Sequence, residues 1–230
     1  MFLVGLTGGI ASGKSTVVRC LVEDLNCPII DADVIAREVV LPGTRGWRKI
    51  KDNFGSEILY SNGELNREKL GQIIFSDEKK RKVLNSITHP EIYKAILWKV
   101  VKYFLQGHRF VVLDLPLLFE TKKILPYTTF TVVVSCNEEQ QLQRLMARNS
   151  YTKEAAEIRI KAQMSLAEKC KLCTHIIDNS GTIESTEKQV KLLYQEFSMC
   201  KAFWKLRIIV AFCATSLLGL GLFLCHYLMT

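Results

Sequence analysis

The run Gly8-Gly9-Ile10-Ala11-Ser12-Gly13-Lys14-Ser15 leaves this chain few ways to fold. Its spacing is G-x-x-x-x-G-K-[S/T]. It follows the apolar run Phe2–Leu6 and opens a segment of helical pattern at about Ser15. Strand, glycine-rich loop and helix in that order make a phosphate cradle. Glycines let backbone N–H groups turn inward around phosphate oxygens, and the helix N-terminus adds the positive end of its dipole. Lys14 is expected on the β- and γ-phosphates, and the Ser15 hydroxyl on Mg²⁺. The nucleotide-binding residues are therefore expected at Gly8, Gly9, Ile10, Ala11, Ser12, Gly13, Lys14, Ser15 and Thr16.

The rest of the chain alternates between two periods. Strand-like runs occur at Phe2–Leu6, Pro28–Asp31, Phe110–Asp114, Phe130–Ser135 and His175–Asp178. Several are near-continuous Val, Ile and Leu, as strands buried on both faces should be. Between them lie helical patterns, such as Tyr93, Ile96, Leu97, Val100, Val101 and Phe104. Alternation of this kind predicts an α/β fold: a parallel five-stranded sheet with helices on both faces. Roughly 80 residues separate the second and third strands, far more than one crossover helix needs. A helical subdomain is expected there, over about 40–108, entered at Leu41-Pro42-Gly43.

A phosphate loop serves GTPases, ATPases and small-molecule kinases alike. An Asn-Lys-x-Asp stretch selective for guanine is absent, and a catalytic part ending near residue 200 is short for a mechanical ATPase. The second strand instead ends in Asp31-Ala32-Asp33, where the carboxyl ends of parallel strands bind ligands. Asp33 reads either as the general base for an attacking hydroxyl or as a helix N-cap. Arg144 and Arg148 share one helix face, and Arg159 and Gln163 repeat that spacing. Two short helices at about 140–165 would form a lid whose arginines stabilise a transferring phosphoryl group and which excludes water. The alternative is surface arginines paired with Glu138, Glu154 or Glu157.

The C-terminus has a different character. Residues 208–229 contain no Asp, Glu, Lys or Arg. As a helix they would span about 33 Å, enough for the hydrocarbon layer. Trp204 and Tyr227 suit the two interfaces, and Lys201, Lys205 and Arg207 bias that flank toward the cytosol. The segment reads as a transmembrane tail anchor after a 201–207 linker, with a buried core helix as the alternative. Ala211, Thr215 and Gly219 offer a small-residue face for a weak homodimer. The chain starts directly on a strand, without a transit-peptide pattern. That points to the outer mitochondrial membrane or the endoplasmic reticulum, with the catalytic domain in the cytosol.

Thirty-one Lys and Arg against 23 Asp and Glu give +8, which favours anionic partners. The run Lys79–Lys82 has no second basic patch or stacking aromatics beside it and reads as a solvated helix face, so no nucleic-acid partner is expected. Eight cysteines are too few for a disulfide scaffold. Cys170 and Cys173 with His175 lack a fourth ligand for zinc and read as free thiols.

Taken in order, these motifs resemble the dephospho-CoA kinase family over about residues 2–200. They are Gly5–Ser15, Asp31-Ala32-Asp33 with Ala36-Arg37, Thr88-His89-Pro90, Leu115–Glu120, Arg144 with Arg148, Arg159 with Gln163, and Ile177–Gly181. The resemblance implies a nucleoside-monophosphate-kinase-like core, a helical acceptor subdomain and a lid. It implies transfer of the ATP γ-phosphate to the ribose 3′-hydroxyl of dephospho-CoA, giving CoA. Lys14, Asp33, Arg144 and Arg148 are then the catalytic residues. Asp33, Arg37, His89, Glu120, Arg159 and Gln163 fall to the acceptor, and Asn179 to the adenine of ATP. The chain departs from the family at Arg148-Asn149, where Arg-Asp is usual, and in its hydrophobic tail. Two other functions stay open on the sequence: a kinase of another nucleotide-like acceptor, and a membrane-anchored nucleotide- or CoA-binding protein with little catalysis, favoured by Asn149.

Overall fold

The computed structural model describes residues 1–204, 207–210 and 215. The residues divide into two compact units, 1–29 with 104–230, and 30–103.

Five strands form one parallel sheet in the order β2-β3-β1-β4-β5. They are β1 (Phe2–Gly8), β2 (Ile29–Asp31), β3 (Phe110–Asp114), β4 (Phe130–Ser135) and β5 (His175–Asp178). β1 lies between β3 and β4, with Leu6 opposite Asp114 on one side and Gly8 opposite Val134 on the other. The chain leaving β1 thus emerges where the strand order reverses, the usual ligand position in such sheets. α1 (Lys14–Arg19) follows the loop and continues as a π-helical turn over Cys20–Asp24.

Alternation along β1 assigns its two faces. Phe2, Val4 and Leu6 pack with Val17, Cys20 and Leu21 below α1, and with Val190 and Phe197 of α10 (Ile183–Met199). Phe2 stacks on Phe110 at 5.6 Å, and Phe130 on Phe197 at 5.1 Å. On the other face Gly5 leaves room for α6 (Leu118–Thr121). A Cβ there would stand 2.7 Å from Leu118. After β4 come α7 (Glu138–Asn149), α8 (Lys153–Lys161) and α9 (Leu166–Leu172), each opened by a side-chain cap from Asn137, Thr152 and Ser165.

The unit 30–103 overlaps the segment, about 40–108, where a helical insertion is expected. It also takes in α2 (Ala32–Glu38), ahead of the predicted start at 40. α3 (Arg45–Phe54) and α4 (Arg67–Ser76) are capped by Thr44 and Asn66. Val40, Ile50, Phe54, Ile58, Leu65, Leu70 and Ile87 form its own core. α5 (Glu78–Leu105) runs 28 residues with Pro90 inside it. Lys82 pairs with Glu78 at 3.0 Å on its exposed surface.

Most of the predicted tail anchor, 208–229, lies outside the described residues, as does its small-residue face apart from Thr215. Among the described residues no helix is long and apolar enough to cross a membrane. No group of three or more potential metal-binding His, Cys, Asp or Glu occurs among them either. His175 instead sits 3.2 Å from Glu196 and 2.8 Å from the Thr174 hydroxyl.

Candidate active site

The loop after β1 is turned by two left-handed residues, Ala11 (φ 59°) and Gly13 (φ 90°). Gly13 is required twice over. Its φ suits glycine, and a Cβ there would fall on the Asn179 amide. Gly8 is equally confined, since a Cβ would stand 2.6 Å from Ser12 Oγ and 2.9 Å from the Val134 carbonyl. Gly9 lies against Gln141 and Leu166. The backbone is therefore drawn close to three neighbours, with its concave side left to the N–H groups that open α1.

Three side chains lock this shape from outside. Gln141, buried on α7, donates from Nε2 to the Ile10 carbonyl at 2.8 Å. Gln163 accepts the Ile10 N–H at 3.0 Å. The two peptides that flank the Ile10 Cα are thus each held by one glutamine side chain. Asn179, buried just after β5, donates to the Ser12 carbonyl at 2.9 Å, while its Oδ1 accepts from the Thr186 hydroxyl at 2.8 Å. Arg144 reaches the Asn179 carbonyl at 3.1 Å.

Lys14 forms an ion pair with Asp114, the last residue of β3. Asp114 was not singled out from the sequence, yet the structure places it on the lysine of the loop. The signal for it was an Asp closing an apolar strand, the position from which P-loop enzymes hold Mg²⁺. Ser15 stands exposed in the first turn of α1. Ser12 Oγ is buried and has no hydrogen-bond partner among the described residues. An ammonium parked on a carboxylate, an unpartnered hydroxyl and an open turn of N–H groups fit a polyphosphate. The oxygens of Ser15 and Asp114 fit a hard divalent cation.

Arg144 is thus brought to the loop by way of Asn179. Arg148 is not. Its Nε donates to Asn149 Oδ1 at 2.9 Å. Arg159 lies 4.1 Å above the Tyr151 ring and donates to the Ala155 carbonyl. Among the described residues none of the three pairs with Glu138, Glu154 or Glu157, and Glu157 faces Lys161 at 3.7 Å. Glu120, on α6, pairs with the buried Lys169 at 2.9 Å.

In the unit 30–103 the two readings of Asp33 separate. Asp31 is the N-cap of α2, accepting from Asp33 N at 2.8 Å and Val34 N at 3.0 Å. The Asp33 carboxylate is therefore released from capping and stands exposed in the first turn. Arg37 lies one turn further along the same helix. His89 sits in the middle of α5, its ring 6.2 Å from Tyr93.

A nucleotide loop on the central strand of a 2-3-1-4-5 sheet, a helical insertion after β2, and helices after β4 that grip the loop define a P-loop kinase of the small-acceptor class. The model of the dephospho-CoA kinase family matches residues 2–185. A dephospho-CoA kinase domain-containing protein of Danio rerio is 52% identical over 223 residues, covering 97% of each chain. A dephospho-CoA kinase of Oryza sativa is 45% identical over 90% of this chain and 89% of its own. The structure of the Campylobacter jejuni dephospho-CoA kinase superposes with a TM-score of 0.66 at 28% identity, covering 85% of this chain and 96% of that one. This chain belongs to the dephospho-CoA kinase family, and dephospho-CoA kinase is its activity.

Proposed function

We propose that the chain transfers the γ-phosphoryl group of ATP to the ribose 3′-hydroxyl of dephospho-CoA, with Asp33 as the base and Lys14 as the phosphate clamp. The observation that carries this reading is the Lys14–Asp114 pair at the mouth of a loop shaped for polyphosphate. Bound nucleotide draws the Lys14 ammonium off Asp114 and onto the β- and γ-phosphates. Ser15 and Asp114 would hold Mg²⁺, which would supply charge neutralisation on those phosphates. Asp33 accepts the proton of the attacking hydroxyl. Arg144 and Arg148 stabilise charge spreading over the transferred group, and α7 to α9 keep water from the donor. Arg37, His89, Glu120, Arg159 and Gln163 serve the acceptor, while Asn179 adjoins the adenine of ATP. Gln163 and Asn179 also hold the loop itself.

The test is ADP release by the full chain in detergent with ATP and Mg²⁺, comparing dephospho-CoA, AMP, CMP and no acceptor. Release that needs dephospho-CoA and disappears in Lys14→Ala is the expected result. Release with AMP or CMP alone would replace the acceptor, and folded protein that binds ATP without release would replace the reaction.

The hydrophobic segment 208–229 serves, in this reading, as a tail anchor at the outer mitochondrial membrane or the endoplasmic reticulum, with the kinase facing the cytosol. Its apolar length and the Lys201, Lys205 and Arg207 flank support it. The full chain should stay with membranes through an alkaline carbonate wash, and residues 1–207 should not. A full chain released by carbonate would end the proposal.

A further inference from the structure

Lys169 on α9 is fully buried. An ammonium has three N–H donors and no acceptor. Two of them go to the Gly8 and Pro116 carbonyls, each at 3.2 Å, and the charge pairs with Glu120 Oε1 at 2.9 Å. The Pro116 carbonyl also accepts from the buried Thr7 hydroxyl at 3.0 Å. One charge thus joins the first glycine of the phosphate loop, the turn after β3 that begins at Asp114, and the carboxylate of α6.

Burying a lysine is expensive, and an apolar residue of similar volume serves packing as well or better. What the ammonium adds is direction. A phosphate loop works only if its carbonyls point outward and its N–H groups inward. Lys169 draws the Gly8 carbonyl out at the point where the loop leaves β1. The same charge fixes Glu120. We infer that Lys169 is a positioning residue that sets the phosphate loop and the Glu120 carboxylate in a single arrangement, so that donor and acceptor sides of the reaction are coupled through one buried ammonium. The acceptor half of this inference rests on the proposed role of Glu120.

The test is a double-mutant cycle in the full chain with Lys169→Met, Glu120→Gln and the pair, reading kcat and KM for ATP and for dephospho-CoA, plus nucleotide affinity without acceptor. Lys169→Met should weaken nucleotide binding and lower kcat/KM for ATP about 10- to 100-fold, the range for groups that orient a reacting site. The paired variant leaves no uncompensated carboxylate, so it keeps the test open if Lys169→Met folds poorly. Its loss should be no greater than the larger single loss, because both residues act through one contact. Folded Lys169→Met with wild-type constants, or losses that simply multiply in the pair, would overturn the inference. Turnover of dephospho-CoA by the wild-type chain reports separately on the acceptor, and the nucleotide affinity does not depend on it.

Discussion

Lys14 at the start of α1 and Asp114 at the end of β3, one hundred residues apart in the chain, meet as an ion pair. The contact makes the carboxylate a competitor for the ammonium that polyphosphate needs. Asp114→Asn should therefore bind ATP in EDTA at least as tightly as wild type, since Lys14 is set free. With Mg²⁺ the same variant should turn over more slowly by about 10²–10³, the cost of removing one group that stabilises developing charge. Titrating a fluorescent ATP analogue with and without Mg²⁺ separates the two effects. Weaker binding in EDTA would show that Asp114 supports Lys14 rather than competing with it.

Asp31 and Asp33 lie two residues apart and should fail in different ways. Asp31 accepts two backbone N–H groups at the start of α2. Asp31→Ala should cost about 1 kcal/mol of stability through the lost cap, read as a lower urea midpoint. Asp33 is not the cap of α2 and stands exposed. Asp33→Asn should leave the urea midpoint in place and reduce kcat by about 10²–10⁴, with ATP affinity kept. A near-normal kcat in Asp33→Asn removes it as the base.

Which parts of this were legible depends on how local their causes are. β3, β4 and β5 fall at the expected bounds because near-continuous Val, Ile and Leu runs leave no other period. β1 runs two residues further than Leu6, since Thr7 and Gly8 still pair with Val133 and Val134. The cradle therefore begins inside the strand. The pattern at Tyr93–Leu105 is the visible end of a helix that starts at Glu78, Pro90 having masked its continuity. Glycine spacing announced the loop, but not what holds it. Gln141 reaches Ile10 across 131 residues, and Lys169 reaches Gly8 across 161. No local pattern encodes such contacts. The sequence reading gave Gln163 to the acceptor, and in the structure it accepts the Ile10 N–H of the loop.

The hydrogen bond from Arg148 Nε to Asn149 Oδ1, 2.9 Å long, bears on the lid. The amide keeps the contact that a carboxylate would make and omits the charge. Asn149→Asp should strengthen it by what an exposed charged pair contributes, raising kcat by between about 1.4- and 5-fold at low salt, with the gain lost at high salt. Steady-state kinetics at two ionic strengths decides it. An unchanged kcat at low salt means that Asn149 does not limit the lid.

Cys27 joins the cluster between the sheet, α1 and α10, and burial pushes its thiol up to about 12. Below the ordinary thiol value of about 8.5 the folded and unfolded chains are both protonated there, and pH has no leverage. Above it the unfolded chain ionises first and binds fewer protons, so stability falls as pH rises, up to the folded value. Cys27 should account for about 2 kcal/mol of lost stability at pH 10. Cys27→Ala carries a packing cost that does not depend on pH, but it loses this slope. Urea midpoints at pH 7.5, 8.5, 9.5 and 10 should therefore fall less steeply in the variant than in the wild type. Parallel curves would mean that the thiol ionises as readily in the folded chain, and that its pocket admits water.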